Sequence, residues 1–333
     1  MKPHSTTQPR GLKILLNSDG LEFIMEAHSG LSARIVEEAG FPAIWASGLS
    51  MSAALGVRDC NELSWTQVLE AVEFMRDATH LPILLDGDSG YGNFNNVRRL
   101  VRKLEQRGID GVCIEDQVFP KRNSLSDGKK TLVDPEEFTG KIRAAKDTQR
   151  RSDFCVVARL EGFIAGAGLD EVLGRAHAYA DAGADALLVH SKRTDADEVL
   201  AFAAQWTRTT PLVVVPTTFS QVPASLLGEA GFHTVIWANH SLRSSIAAMQ
   251  ATCRQIREEG SVSGILETIA PLGEVFRLQR AAELAEAERR YLPGEAGEGL
   301  TEAVKVSKAA ERRGLQGPKR ASSQANLAPV GAE

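Results

Sequence analysis

The sequence predicts an α/β fold in which eight parallel strands close into a (β/α)8 TIM barrel. Three observations carry that prediction. Eight short runs rich in Val, Ile and Leu recur along the chain, amphipathic stretches separate them, and several of those stretches stop at a glycine just before the next run. Runs that are apolar nearly throughout fit strands buried on both faces of a parallel sheet. Helical crossovers of one hand return each strand parallel to the last. A doubly wound open sheet would satisfy the same alternation, but eight consecutive units close more naturally into a barrel.

The first strand is expected at 22–28, and a helix over 32–39 stops at Gly40 before a second strand at 42–48. Ser64 caps a helix reaching about Thr79, with Val68, Leu69, Val72 and Phe74 as its apolar positions. The third strand, 82–88, leads to a helix over 96–107 that ends at Gly108, and the fourth strand follows at 111–116. Residues 119–132 form a long polar loop at the end of a barrel strand, where lids occur. Asp134, Pro135 and Glu137 open the next helix, with proline at its first position. Strands at 154–161, 185–191, 211–217 and 234–240 complete the set, with helices over 169–182 and 241–259 that stop at Gly183 and Gly260. The domain organisation is therefore a flexible N-terminus at 1–11, a catalytic barrel at 12–294 with its lid at 119–132, and a disordered tail at 295–333. That tail has no aromatic residue and is rich in Ala, Gly, Ser and mixed charge.

Composition narrows the function classes. The chain has 333 residues, 43% hydrophobic and 24% charged, enough for a large core without disulfides or a structural metal. A net charge of −5 gives no electrostatic footprint for nucleic acid. The basic run Arg98, Arg99, Arg102 and Lys103 reads as the solvated face of a helix. Cys60, Cys113, Cys155 and Cys253 are far apart, form no CxxC pair, and suggest neither zinc nor a disulfide framework. With no apolar leader at the start and no apolar run long enough to span a bilayer, a soluble cytoplasmic protein without membrane partners is expected.

The chemistry lies at the strand ends. In a barrel of this kind catalytic groups sit at the C-terminal ends of the strands. The third strand ends with Asp86 and Asp88, the fourth with Glu115 and Asp116, and Asp59 lies in the loop after the second. Carboxylates that end apolar strands are costly to bury uncompensated. A hard cation such as Mg²⁺, which takes a few carboxylates together with water and substrate oxygens, compensates them naturally. Asp86 and Asp88 are two apart and point to one side. Capping of the following helices or pairing with lysines would explain any one of these acids alone. Arg159 and His190 end the fifth and sixth strands and suit an anionic substrate. Ser47 and the Gly48 backbone could bind a carboxylate, although Ser47 also reads as a helix cap. Ser89-Gly90-Tyr91-Gly92-Asn93 reads as a tight loop that lets the backbone approach the site, because no third glycine completes a dinucleotide fingerprint.

Seven segments then carry a resemblance: EFIMEAHSGLSARIVEEAGF, IWASGLSMSAALGVRD, LLDGDSGYGNFNNVRRLVRKLE, IEDQVFPKRNSL, VVARLEGFIAG, VIWANHSLRSSI and EVFRLQR. Over residues 12–292 the chain resembles the isocitrate lyase and phosphoenolpyruvate mutase superfamily, and within it the phosphoenolpyruvate mutase family. The resemblance implies a barrel whose last helix swaps between subunits of a homodimer or homotetramer. It implies Mg²⁺ held by Asp86, Asp88 and Glu115 with Asp59 nearby, and a small-molecule substrate, phosphoenolpyruvate or phosphonopyruvate. Trp45, Ser47 and Gly48 would meet the pyruvyl part, and Arg159 and His190 the phosphoryl group. The lid reads Lys121-Arg122-Asn123-Ser124-Leu125 where the superfamily's lyases carry a cysteine acid, and Asn123-Ser124-Leu125 matches the mutase pattern. Asp59, Lys121, Asn123, Arg159 and His190 are thus the expected catalytic residues, with Ser124 and Leu125 joining the substrate contacts. Two departures stand out: Gln117 where mutases usually have lysine, and Gly87 where alanine is usual. The implied reaction is the interconversion of phosphoenolpyruvate and phosphonopyruvate. Hydrolysis of phosphonopyruvate, carbon–carbon cleavage of a 2-methylmalate-like acid, and a non-catalytic barrel are the alternatives.

Overall fold

The structure is a computed structural model that describes residues 11–292. The N-terminal ten residues and the expected tail at 295–333 lie outside the described residues. Two compact units divide at Gln250 and Ala251. In the first, eight parallel strands form a closed barrel in chain order. They are β1 Glu22–Ala27, β2 Ile44–Ala46, β3 Ile83–Asp86, β4 Gly111–Glu115, β5 Cys155–Leu160, β6 Ala186–Val189, β7 Leu212–Val214 and β8 Phe232–Trp237. Every expected strand is present and each is shorter than expected, mainly because the chain leaves the ladder where the polar strand-end residues begin, and β8 starts two residues earlier than expected.

Side-chain alternation places the core and the site together. One set of strand residues, including Ile83, Leu85, Val112, Ile114, Val156, Leu187 and Val214, packs outward against the helices. The alternate set fills the barrel: Ile24, Trp45, Leu84, Cys113, Val157, Leu188, Val213 and Ile236. Leu12, Leu15 and Leu16 of the short helix Leu12–Leu16 join this inner cluster. Two residues further along four inner columns stand Asp86, Glu115, Arg159 and His190, so strand period alone aims them into the barrel mouth.

The connecting helices start as their sequences dictate. Ser64 caps the helix Trp65–Ala78 and Gln67 completes the capping box. Val68, Leu69, Val72 and Met75 of that helix are buried, whereas Phe74 is 70% exposed. Three of the four expected apolar positions hold and Phe74 does not, since 68, 72 and 75 follow the helical period and 74 does not. Asp134 caps Pro135–Thr148, and Asn93 caps Phe94–Gln106, two residues earlier than expected. The second unit holds the end of the helix His240–Glu259 and the helices Leu272–Leu278 and Ala281–Tyr291. Among the described residues no helix is long and apolar enough to cross a membrane.

Candidate active site at the barrel mouth

A cavity opens at the C-terminal ends of the strands. Trp45, Ser47, Asp59, Asp86, Lys121, Asn123, Ser124, Leu125, Arg159 and His190 all line it. Gly48, Asp88 and Glu115 stand behind its wall. The Gly48 amide donates to Asp86 Oδ2 at 3.2 Å, so this backbone group already serves a carboxylate of the protein. A Cβ on Gly48 would lie 3.2 Å from Asp86 Oδ2 and 3.3 Å from Asp88 Oδ1, so a larger residue would press on both acids. Ser47 does cap a helix, accepting from Ser50 N at 3.2 Å, and its own proton remains free to donate.

The acidic loop is built tightly. A Cβ on Gly87 would stand 2.5 Å from a Val112 methyl, which accounts for glycine at this position. Asp88 has φ 51°, a left-handed conformation uncommon outside glycine and characteristic of functional loops. Behind it the buried Lys141 donates to the Ser89 carbonyl at 3.2 Å. Asn61, also left-handed at φ 61°, donates to Asp88 Oδ2 at 2.7 Å and accepts from Lys121 N at 2.7 Å.

Charge is balanced in two clusters. The Lys121 ammonium lies 2.6 Å from Asp88 Oδ1 and 2.9 Å from Asp59 Oδ1. Burial pushes the Asp88 carboxyl up to about 6 despite that lysine, with Asp86 adding to the rise. Burial acts on Asp59 in the same direction, but Lys121 and an Asn123 Nδ2 hydrogen bond of 2.5 Å hold it below the usual range. In the second cluster Glu161 Oε1 accepts from Arg159 Nε at 2.6 Å and lies 2.7 Å from His190 Nδ1. Burial would raise Glu161, yet the Arg159 and His190 charges carry it well below the ordinary range. Burial and the neighbouring guanidinium lower the His190 pKa, against the pull of Glu161.

Glu115 belongs to neither cluster fully. Both of its carboxylate oxygens are buried without a hydrogen bond, and its nearest cation is Arg159 Nε at 3.4 Å. Burial pushes its carboxyl well above the usual value. Asp116, grouped with the acids in the sequence reading, turns the other way. Its neighbours on the helix side are Tyr179 Oη at 2.7 Å and Arg175 Nη1 at 3.3 Å, so it ties strand to helix. Among the described residues no three His, Cys, Asp or Glu side chains are gathered so that they could hold a metal ion.

Sequence reasoning missed Glu161, Asn61, Thr217 and Asn239, and noted Gln117 only as a departure from the family pattern. Thr217 and Asn239 line the cavity beyond β7 and β8. Glu161 lies two residues after Arg159, and Thr217 continues the inner column of Val213 and Val215. Extending the alternation past the strand ends would have found both.

Comparison with known proteins agrees with this architecture. Residues 12–257 match the family described as "Phosphoenolpyruvate phosphomutase". A protein of Tetrahymena pyriformis named "Phosphoenolpyruvate phosphomutase" is 56% identical over 289 residues, 86% of this chain and 96% of that one. The crystal structure of a phosphoenolpyruvate phosphomutase from Streptomyces platensis subsp. rosaceus is 45% identical with a TM-score of 0.83, covering 85% of this chain and 100% of the other. A phosphonopyruvate hydrolase in complex with oxalate and Mg²⁺ is 36% identical with a TM-score of 0.81, covering 86% of this chain and 100% of the other.

Proposed function

The chain belongs to the phosphoenolpyruvate phosphomutase family, and from that premise we propose that its barrel mouth interconverts phosphoenolpyruvate and 3-phosphonopyruvate. One observation carries the reading to this site. A single cavity is lined by the carboxylate of Asp86, the Arg159 and His190 pair, and the loop residues Lys121, Asn123 and Ser124, with no cysteine on its wall. The absence of a thiol acid at the mouth suits a reaction that moves a phosphoryl group without protonating a leaving carbanion.

Asp86, Asp88 and Glu115 are the residues that would hold Mg²⁺, and because no three such side chains among the described residues already gather at one point, they would have to draw in around the ion. The fit rests on Glu115, whose two buried oxygens have no hydrogen-bond partner, beside two further carboxylates of β3 and its loop. An uncompensated buried carboxylate is costly, and a divalent ion removes that cost. When bound, the ion supplies Lewis-acid stabilisation of enolate and carboxylate oxygens.

The chain's own groups do the rest. Trp45 and Ser47 face the pyruvyl part, with the Ser47 hydroxyl as donor, while Gly48 holds Asp86 behind them. Arg159 and His190 spread phosphoryl charge through fixed donors, which suits a loose transition state. His190 Nδ1 lies 2.7 Å from Glu161 Oε1 and 2.9 Å from Arg159 Nη2, which together fix the ring beside the phosphoryl site. Asn123, Ser124 and Leu125 close over the site and exclude water, while Lys121 neutralises Asp59 and Asp88 beneath them. We also assign the chain to a homodimer or homotetramer and, with all four cysteines free, to the reducing cytoplasm.

Phosphorus NMR of phosphonopyruvate incubated with enzyme and Mg²⁺ tests the activity. A growing phosphoenolpyruvate signal is expected. Phosphate with pyruvate as the main products would assign a hydrolase instead, and release of an oxoacid from a 2-methylmalate-like substrate a lyase.

A further inference from the structure

The loop over the cavity is zipped at its root. Val118 N donates to Thr131 O at 2.9 Å, Val133 N donates to Asp116 O at 2.9 Å, and Gln117 pairs with Leu132 in an antiparallel bridge. Asp116 faces the helices, so Gln117, one residue on, faces the site, and it is buried.

There its amide is used at both ends. Gln117 Nε2 donates to Glu161 Oε2 at 3.1 Å, and Gln117 Oε1 accepts from Arg122 N at 3.3 Å. Ser124 of the same loop donates to Glu161 Oε2 at 2.5 Å and accepts from Arg159 Nη2 at 2.8 Å. The two oxygens of Glu161 thus divide their work. Oε2 receives the loop, through Gln117 and Ser124, and Oε1 meets the anion-binding pair, Arg159 and His190.

We propose that Gln117 is a positioning residue which, through Glu161, ties the seated loop to the orientation of Arg159 and His190, and so sets how often water rather than the enolate takes the phosphoryl group. The idea rests on the phosphoryl-transfer reading above and deepens it. With the loop unseated, a water oxygen bonds to phosphorus as the carbon–phosphorus bond breaks. The bonding pair stays on the enolate, one water proton goes to its carbon to give pyruvate, and the rest of the water remains on phosphate. An amide is suited to the tie because it donates to a carboxylate and accepts from a backbone N–H at once. Lysine could only donate, and leucine could do neither.

Full-length Gln117→Leu and Gln117→Lys, with Mg²⁺ and phosphonopyruvate, test this by two readouts. Phosphorus NMR gives the ratio of phosphate to phosphoenolpyruvate, and timed trypsin digestion gives cleavage after Arg122 and Lys129. Losing the charge-assisted bond to Glu161 in Gln117→Leu is expected to raise both by about tenfold. Gln117→Lys, which keeps a donor and loses the acceptor, falls between. If turnover drops while the product ratio and cleavage stay at wild-type values, the residue is merely structural and the proposal is overturned. Should Gln117→Leu not fold, wild-type values of both readouts in Gln117→Lys overturn it equally. Wild-type protein that makes no phosphoenolpyruvate would instead defeat the reaction assigned above, and loop cleavage alone would then decide the tie.

Discussion

Asn123 shows how one side chain can serve two purposes. Its Nδ2 donates to Asp59 Oδ2 at 2.5 Å, and its Oδ1 accepts from Leu125 N at 3.0 Å, shaping the loop tip above the cavity. Replacing it with alanine removes a donor from the site and a brace from the loop together. Asn123→Ala is therefore expected to lose about a hundredfold in turnover, of the order seen when one transition-state donor is removed, with circular dichroism unchanged. Near-normal rates in the purified variant would refute the role. Glu26 offers a test of stability. Buried on β1, it accepts from the backbone N–H groups of Ser241 at 3.1 Å and Leu242 at 3.3 Å, the start of the helix His240–Glu259, and sits 2.6 Å from His28 Nδ1. Burial opposes its charge, but His28 and Ser241 together keep its carboxyl below the ordinary glutamate range. A carboxylate depressed in the folded state stabilises above its unfolded pKa and stops doing so as pH falls through the lower folded value. Glu26→Gln should cost about 1–2 kcal/mol at pH 7, as expected for an anion removed from a partly buried helix N-terminus. The gap in melting temperature to wild type should close in acid, and a gap independent of pH would contradict this. No local pattern announces such a residue, since Glu26 and its helix are over two hundred positions apart; Asp86 and Glu115 were legible because apolar runs ended on them.

Elements were more legible than the side chains they aim. Strands announced themselves because burial on both faces leaves few polar positions inside them, Glu26 of β1 and Thr234 of β8 among the exceptions, and helix starts because caps are local chemistry. The long loop was visible by its polarity and length, whereas Lys121 and Ser124 were named through the family resemblance and by no local pattern. Their burial depends on Asp59, Asp88 and Glu161, which other strands bring to the mouth. The same holds for Asp116, which reads like Glu115 in sequence and is separated from it only by the alternation of the strand. Beyond the barrel, the helices Leu272–Leu278 and Ala281–Tyr291 have no buried residue, and Leu272 and Leu284 are both more than half exposed. Apolar faces of that kind are typical of surfaces that another subunit covers. Sedimentation at micromolar concentration is expected to give two or four times the 35.9 kDa chain mass. Charged residues at Leu272, Val275 and Leu284 together should shift it toward the monomer; a wild-type monomer would rule out the assembly.

At the scale of the molecule, closure of the barrel concentrates charge that no single strand could hold. Inner columns filled by Leu84, Cys113, Val157 and Leu188 place Asp86, Glu115, Arg159 and His190 around one opening, with Asp88 and Asp59 added by loops. The lysine and the arginine do not satisfy all of these acids, because both Glu115 oxygens remain without a hydrogen bond. A ligand that binds only the folded arrangement stabilises the whole fold by mass action, so the assigned ion has a thermal signature independent of turnover. At a hundred times its dissociation constant Mg²⁺ should add about 2.7 kcal/mol, a rise of several degrees in melting temperature. Asp86→Ala removes a ligand that lines the cavity and should abolish most of that response while leaving the metal-free melting temperature near that of wild type. The comparison separates a built site from general ionic screening, because screening acts on both proteins alike. A wild-type melting temperature that ignores saturating Mg²⁺, with substrate absent, would mean that Glu115 is compensated by protonation alone and that the carboxylates do not form a metal centre.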